Sequence, residues 1–466
     1  MRSRQEFCMA VAYAVADLAG KNVALGAKIT ANLPEPLCWA MDGAATATDT
    51  RTPVVNLLQG CSENGRKVGS EIFVTYVPTA ACIGMATMLG IKALYYVDGG
   101  VMKLALTAGA PALAAATAVD VAAPPSPERI NPPVPDVPGG GAGAWLGGGA
   151  PACARSAAAW LDLLMEESRK PTAKPNLGTL LGYVDRIVAV QGVRYDSGFT
   201  MSVPTTAVGG VRAAFRDRLF MALARVLVSR HWQPEVATPI NANLRQASAD
   251  APVAAGKNIG AVLVSASNQI IGWGVNTNDA SSTRHAETNA IQAFQEEAGT
   301  AIPVGATLYT TLEPCYMCAG VFVRAGGTDC VYEQTDPDMV NNTALYTTPG
   351  ANLRKHVEAY SGRVDVVDRV PTMRAGTVRT VGQRLDEGLT SFRQNVGVGV
   401  RATAADYLRS GNPAYEVFSR AHERLVTAGM GAQNAAERTL WAEVLDFLRR
   451  GHAGQVGFQP HLLMID

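Results

Sequence analysis

The sequence predicts an α/β protein: a mixed five-stranded sheet between helices in a three-layer arrangement, present in tandem, with helical extensions. Three observations carry this prediction. Strand and helix patterns alternate from about residue 259 onward. A Pro/Gly/Ala-rich stretch at 107–151 divides the chain. A segment before that stretch matches one after it without a gap. Alternation at this spacing argues for one sheet covered on both faces by helices.

The elements follow in order. "IGAVLVSASNQIIGWGV" (259–275) reads as two strands around a Ser-Ala-Ser-Asn turn. Residues 285–297 have a helix pattern. "ATLYTTL" (306–312) is a strand, 315–325 a helix and "TDCVYEQ" (328–334) a strand, with "GRVDVVDRV" (362–370) as the expected fifth. Two helical patterns precede them: "ARSAAAWLDLLMEESRK" (154–170) and "VRAAFRDRLFMALARVLVSRHW" (211–232), with apolar residues recurring at three and four. After about 385 the pattern is helical again, most clearly in "AAERTLWAEVLDFLRR" (435–450).

A chain of 466 residues exceeds one ordinary core. The expected division is 1–106, a linker at 107–151, a helical connector at 152–208, a central domain at 209–385 and a helical arm at 386–466. In the linker, prolines remove backbone donors and glycines raise the cost of ordering. The 40 basic and 40 acidic residues cancel, so composition gives no argument for tight phosphate-backbone binding. Eight cysteines are too sparse for a disulfide framework. The apolar stretch 104–119 is short and contains Pro111, and the N-terminal apolar run is interrupted by Glu6 and Asp17. Neither reads as a membrane span or a signal peptide, and cytoplasmic placement is the expectation.

The chemistry-bearing residues are His285, Glu287, Cys315 and Cys318. Imidazole and thiolate ligands suit Zn²⁺. Cys315 and Cys318 are one helical turn apart, and a helix start favours thiolate. Three protein ligands leave one position open, the mark of a catalytic zinc. Glu287 does not ligate; beside an activated water it can take a proton, then deliver protons to a ring nitrogen and a leaving amine. His-x-Glu followed by Pro-Cys-x-x-Cys is the zinc deaminase signature, here "HAE" and "PCYMC". The competing readings are a structural Cys₂His zinc with a chance fourth ligand, or buried cysteines beside a solvated Glu287. His231, His356, His422, His452 and His461 have no ligand-spaced partner and read as surface or packing residues. Cys330, within a strand, reads as a small buried hydrophobe.

On these residues the stretch from Lys257 to Glu333 resembles the cytidine-deaminase-like superfamily. "TLEPCYMCAG" is most similar to the branch with tRNA adenosine deaminases and guanine deaminases. The resemblance implies a zinc cofactor on His285, Cys315 and Cys318, Glu287 as proton shuttle, and Asn276 as a contact to nucleobase or sugar. It implies hydrolytic deamination of a nucleobase, with adenosine in tRNA or another nucleic acid as the first reading. A free base, nucleoside or nucleotide is the second, and a non-catalytic scaffold with structural zinc the third. "TDPDMVNNTALYTTPG" (335–350), residues 152–250 and the arm after 385 have no counterpart in minimal members, which leaves the substrate open.

The early match is to this same region. At an offset of 236, as from Thr75 to Thr311, "IFVTYVPTAACIGMATMLGIKALYYV" (72–97) lies on residues 308–333. Cys82 falls on Cys318 and Thr79 on Cys315; continued upstream, the offset puts Asp49 on His285 and Arg51 on Glu287. Such a set is a poor zinc site, and Arg51 stays protonated, so it cannot shuttle. The reading is a degenerate deaminase-like domain that keeps its frame and has lost its chemistry; the alternative is a generic strand–helix–strand unit with chance identities. Members of the superfamily commonly work as dimers. A tethered inert copy would then pair with the active domain at high effective concentration, and homo-oligomers are the intermolecular form of the same expectation.

Overall fold

The computed structural model describes residues 4–29, 34–44, 46–64, 66–98, 101–107, 187–190, 205–231, 257–277, 282–342, 351–356, 380–396, 402–409 and 412–450. The chain divides into two units, Met1–Arg194 and Tyr195–Asp466. The expected helix at 154–170, the expected strand at 362–370 and nearly all of the linker fall outside the described residues. Among the described residues no helix is long and apolar enough to cross a membrane.

In the first unit, α1 (Arg4–Ala19) precedes the hairpin β1 (Val23–Ile29) and β2 (Pro34–Met41). Then come α2 (Pro53–Glu63), β3 (Glu71–Val74), α3 (Ala80–Met88), β4 (Ala93–Asp98) and β5 (Val101–Thr107). The sheet order is β5-β4-β3-β1-β2-β6. The strand β6 (Val188–Ala189) pairs in parallel with Cys38 and Trp39. It interrupts the stretch expected to be a helical connector, and the flanking Ile187 and Val190 are buried. Cys8, Met9, Val11, Ala12 and Val15 of α1 pack on Val23, Leu25 and Phe73. This apolar stripe makes the N-terminal segment a core helix. Phe73 stacks on Tyr95 at 5.0 Å.

The second unit repeats the element order. Helix α4 (Ala213–Arg230) precedes the hairpin β7 (Gly260–Val264) and β8 (Ile270–Val275). Then follow α5 (Ala286–Ala298), β9 (Thr307–Leu312), α6 (Tyr316–Arg324), β10 (Asp329–Gln334) and, after a 3₁₀ turn at Pro337–Asn342, β11 (Asn352–Lys355). The sheet is mixed and five-stranded, in the order β11-β10-β9-β7-β8. Its edge strand Asn352–Lys355 is polar and partly exposed, with no apolar alternation to announce it. The closing helices are α7 (Val381–Asn395), α8 (Ala404–Tyr407), α9 (Asn412–Ser419), α10 (Ala421–Met430) and α11 (Ala435–Arg450). Leu425 of α10 and Leu440 and Val444 of α11 join one core with Phe215, Leu219 and Leu223 of α4 and Trp273 and Tyr309 of the sheet. Arg225 of α4 is buried against Glu333 of β10, donating to the same Oε2 from Nε at 2.9 Å and Nη2 at 2.7 Å.

The two units agree residue for residue over part of their length. Helices α3 and α6, and strands β4 and β10, coincide at the offset of 236. Gly90 and Gly326, also 236 apart, both end their helices in the left-handed region, with φ 70° and 92°, where a side chain is disfavoured. The units differ at the last strand: β5 is antiparallel to β4, whereas β11 is parallel to β10.

The structure corrects the upstream part of the match. Helix α2 begins at Pro53 and α5 at Ala286, an offset of 233 rather than 236. Asn56 donates Nδ2 to the Met41 carbonyl at 3.0 Å, as Asn289 donates to Val275 at 2.7 Å. Thr52 therefore stands at the position of His285, and Val54 at that of Glu287. Asp49 and Arg51 lie in the preceding loop, paired with each other at 2.7 Å. From helix start to the next strand the first unit is three residues shorter, since α2 is two residues shorter than α5 and the loop after it one residue shorter, and a gapless alignment carries this difference to the helix start.

Candidate metal centre

The site is built from the starts of two helices in the second unit. His285 is the N-cap of α5, with φ −78° and ψ 156°, and Glu287 lies in its first turn. Cys315 is the N-cap of α6, and Cys318 is the third residue of that helix. Close approach of α5 to the sheet depends on "GWG". A Cβ at Gly274 would collide with the Ala286 carbonyl oxygen, and one at Gly272 with that of Ala290. Trp273 between them faces the opposite side and fills the α4 core.

Three ligand atoms converge. Cys315 Sγ lies 3.5 Å from His285 Nδ1, Cys318 Sγ lies 3.5 Å from the same nitrogen, and the two sulfurs are 3.5 Å apart. Edges of about 3.3–3.8 Å are those of a tetrahedron with bonds of about 2.0–2.3 Å, so this nitrogen–sulfur–sulfur set fits zinc. The three form the metal-competent cluster found among the described residues, and all are buried. The hydrogen bond from Cys318 and the His285 imidazole hold the Cys315 thiol well below its usual range, against burial. Burial alone would depress His285; the Cys315 sulfur beside it outweighs this and raises it.

Glu287 is 3% exposed and lies at the edge of the cage. Its Oε1 accepts from the Thr310 hydroxyl at 2.9 Å, and its Oε2 lies 3.3 Å from Cys318 Sγ. Burial first, and the Cys315 charge second, raise its pKa. One carboxylate oxygen is thus tied to β9 and the other faces the metal position. A structural zinc site has no use for this carboxylate; a proton carrier needs it.

Asn276 follows β8 and is buried. Its Oδ1 accepts from the Ala286 N–H at 2.7 Å, the first residue of α5, while its Nδ2 has no hydrogen-bond partner among the described residues. A buried unpaired donor beside the helix that carries His285 and Glu287 is costly unless a ligand satisfies it.

The structure thus brings His285, Glu287, Cys315, Cys318 and Asn276 to one end of the sheet. Sequence reasoning missed Thr310 and Thr288, whose Oγ1 lies 3.7 Å from Cys318 Sγ. Both are fully buried threonines. A polar residue on an inward strand position just ahead of "EPC" was the available signal for Thr310. Glu313 was also missed: it accepts from the Asp336 N–H at 3.0 Å, and burial pushes its pKa up to about 7. Cys330 is buried, as expected of a small hydrophobe.

Residues 240–334 match the family described as the cytidine and deoxycytidylate deaminase zinc-binding region. The chain is 46% identical over 81 residues to a tRNA(Ile)-lysidine synthase of Deinococcus deserti, covering 17% of this chain and 15% of that protein. It is 38% identical over 69 residues to a tRNA-specific adenosine deaminase of Haemophilus influenzae, covering 14% of this chain and 40% of that protein. The match thus takes in well under half the length of either relative. Among solved structures, one described under A-to-I editing by tRNA:A34 deaminases aligns at 27% identity and a TM-score of 0.22, over 29% of this chain and 96% of that one. A dCMP deaminase of cyanophage S-TIM5 aligns at 19% identity and a TM-score of 0.22, over 31% of this chain and 100% of that one. The second unit carries the zinc-binding region of the cytidine-deaminase-like superfamily.

Proposed function

We propose that this chain is a zinc-dependent hydrolase that deaminates a nucleobase, exchanging an exocyclic amine for a carbonyl oxygen and releasing ammonia. The observation that carries the reading is Glu287: a buried carboxylate at the cage edge, one oxygen fixed by Thr310 and the other turned toward the metal position. Zinc held by His285, Cys315 and Cys318 would supply the polarisation that makes a water reactive at neutral pH. Glu287 carries one proton of the attacking water to the ring nitrogen and the second, from the newly added hydroxyl, to the departing amine, which leaves as ammonia while the carbonyl forms. Asn276 offers its free Nδ2 to an acceptor on the base or sugar, while its Oδ1 stays committed to α5. Burial excludes bulk water and raises the pKa of the carboxylate.

The substrate read first is adenosine in tRNA or another nucleic acid, supported by relatives named for tRNA. The balanced charge of 40 basic and 40 acidic residues favours the second reading, a free base, nucleoside or nucleotide. The first unit is proposed as a partner surface supplied in cis, and deleting residues 1–106 is expected to lower solubility or turnover; an unchanged enzyme would overturn that role.

The test is ammonia release over bases, nucleosides, nucleotides, single-stranded DNA and tRNA, with Glu287→Ala as control. Release that needs Glu287 is the expected result. A protein purified without zinc refutes the reading. A zinc-loaded protein with no Glu287-dependent release on any substrate favours a scaffold.

A further inference from the structure

The first unit contains the same three-cornered arrangement as the metal centre, made of different atoms. Thr52 is the N-cap of α2, with φ −67° and ψ 160°, and its carbonyl accepts from the Asn56 N–H at 2.9 Å. His285 is the N-cap of α5, and its carbonyl accepts from the Asn289 N–H at 2.8 Å. Thr79 caps α3 as Cys315 caps α6, and Cys82 is the third residue of α3 as Cys318 is of α6. The strands below are pinned alike: Val23 N–H donates to Thr75 Oγ1 at 3.0 Å, and Gly260 N–H to Thr311 Oγ1 at 3.1 Å.

Two of the three corresponding edges close on the Cys82 sulfur. Cys82 Sγ lies 3.3 Å from Thr52 Oγ1 and 3.2 Å from Thr79 Oγ1. A fourth group enters this space: the Tyr76 hydroxyl, 3.2 Å from Cys82 Sγ, accepting from the Val54 N–H at 3.2 Å. Tyr76 falls on Leu312, whose side chain has no polar atom to offer.

We infer that the first unit holds a metal cage converted into a hydroxyl plug. Thr52, Thr79 and Cys82 occupy the three ligand positions, Tyr76 closes the space among them, and the unit binds no zinc. Chemistry argues the same way. Neutral hydroxyls are not among zinc's protein ligands, and one thiol cannot build the site. Each of the three hydroxyls lies against the sulfur, and Tyr76 also bonds Thr52, so the pocket needs no ion to neutralise it. Val54, at the Glu287 position, carries no proton. The plug replaces metal bonds with short hydrogen bonds and keeps α2 and α3 joined.

The inference concerns metal content and is independent of whether the second unit turns over a nucleobase. Metal analysis of the full chain is expected to give one zinc per chain, and none in Cys315→Ser/Cys318→Ser. Zinc retained by that double variant and then lost on adding Thr79→Ala would overturn it. The reverse experiment restores the cage with Thr52→His, Thr79→Cys and Tyr76→Leu, the residues at the matching positions. Zinc is expected to rise to two per chain, and the thiolate bands of the Co²⁺-loaded protein to double. A folded triple variant that still holds one zinc overturns the assignment of Thr52. Should the triple variant fail to fold, Thr79→Cys alone decides: with Cys82 it makes a paired thiol expected to take up one Cd²⁺ beyond the wild type, and no extra uptake overturns the inference.

Discussion

The Thr310 hydroxyl lies 2.9 Å from Glu287 Oε1 and 3.1 Å from the Leu312 carbonyl, so one proton serves two acceptors. It fixes which carboxylate oxygen faces the metal position. Thr310→Val is expected to lower kcat about ten- to a hundredfold with KM and zinc content unchanged, and Thr310→Ser to restore it, since a hydrogen bond to a charged group is worth about 1.5–3 kcal/mol. Steady-state kinetics with metal analysis decides; equal losses in Val and Ser variants would assign Thr310 to packing alone.

Asn276 presents one amide face to α5 and leaves the other unpaired. Asn276→Asp keeps the acceptor for Ala286 and removes the free donor. We expect a folded, zinc-bearing protein whose KM rises about tenfold or more, the effect of losing one substrate hydrogen bond. Unaltered KM in that variant would remove Asn276 from substrate contact.

Glu333 and Arg225 form an ion pair inside the second unit, with side chains 0% and 1% exposed. Glu333→Ala leaves the guanidinium buried without its carboxylate, at an expected loss of about 3–5 kcal/mol. Urea denaturation followed by Trp273 fluorescence measures this, and a loss below about 1 kcal/mol would contradict the assignment.

His422 accepts from Arg230 Nε at 3.3 Å. Burial first, and the Arg230 charge second, lower its pKa to about 4, and the same two causes bring His231 to about 4. A base depressed on folding binds fewer protons folded than unfolded. Its contribution to stability is complete above about 6.5 and declines as pH falls toward 4. We expect the melting temperature to drop over that interval. His422→Gln should remove about half of the slope, on the order of 1–2 kcal/mol for a partly exposed group.

The metal centre was legible because its residue types are rare, chemically specific and placed at helix starts. His285, Glu287, Cys315 and Cys318 announce themselves, and the strands under them are apolar and short. Thr310 and Thr288 were not legible, because a buried threonine in a strand or helix reads as ordinary packing until its hydroxyl has a partner. The edge strand at 352–355 was missed for the opposite reason: three of its four residues are polar, and its pairing with β10 is a tertiary fact. In the first unit, β3 through β4 matched β9 through β10 without error. The shift to Thr52 was invisible because a shorter helix and loop leave no trace in a gapless offset, which put Asp49 and Arg51, an ion pair of the preceding loop, at the positions of His285 and Glu287.

The opposite directions of β5 and β11 bear on where each unit can diversify. In the first, Asp98 pairs directly with Val101, and the chain turns back within two residues. In the second, β11 runs parallel to β10, so the chain must return to the start of that neighbour, and Thr335 leaves the sheet at the end that bears Cys315. That return is a stretch of chain whose length and composition can change without touching the ladder. Between the last two strands, selection therefore has a long connection to act on in the second unit and only two residues in the first.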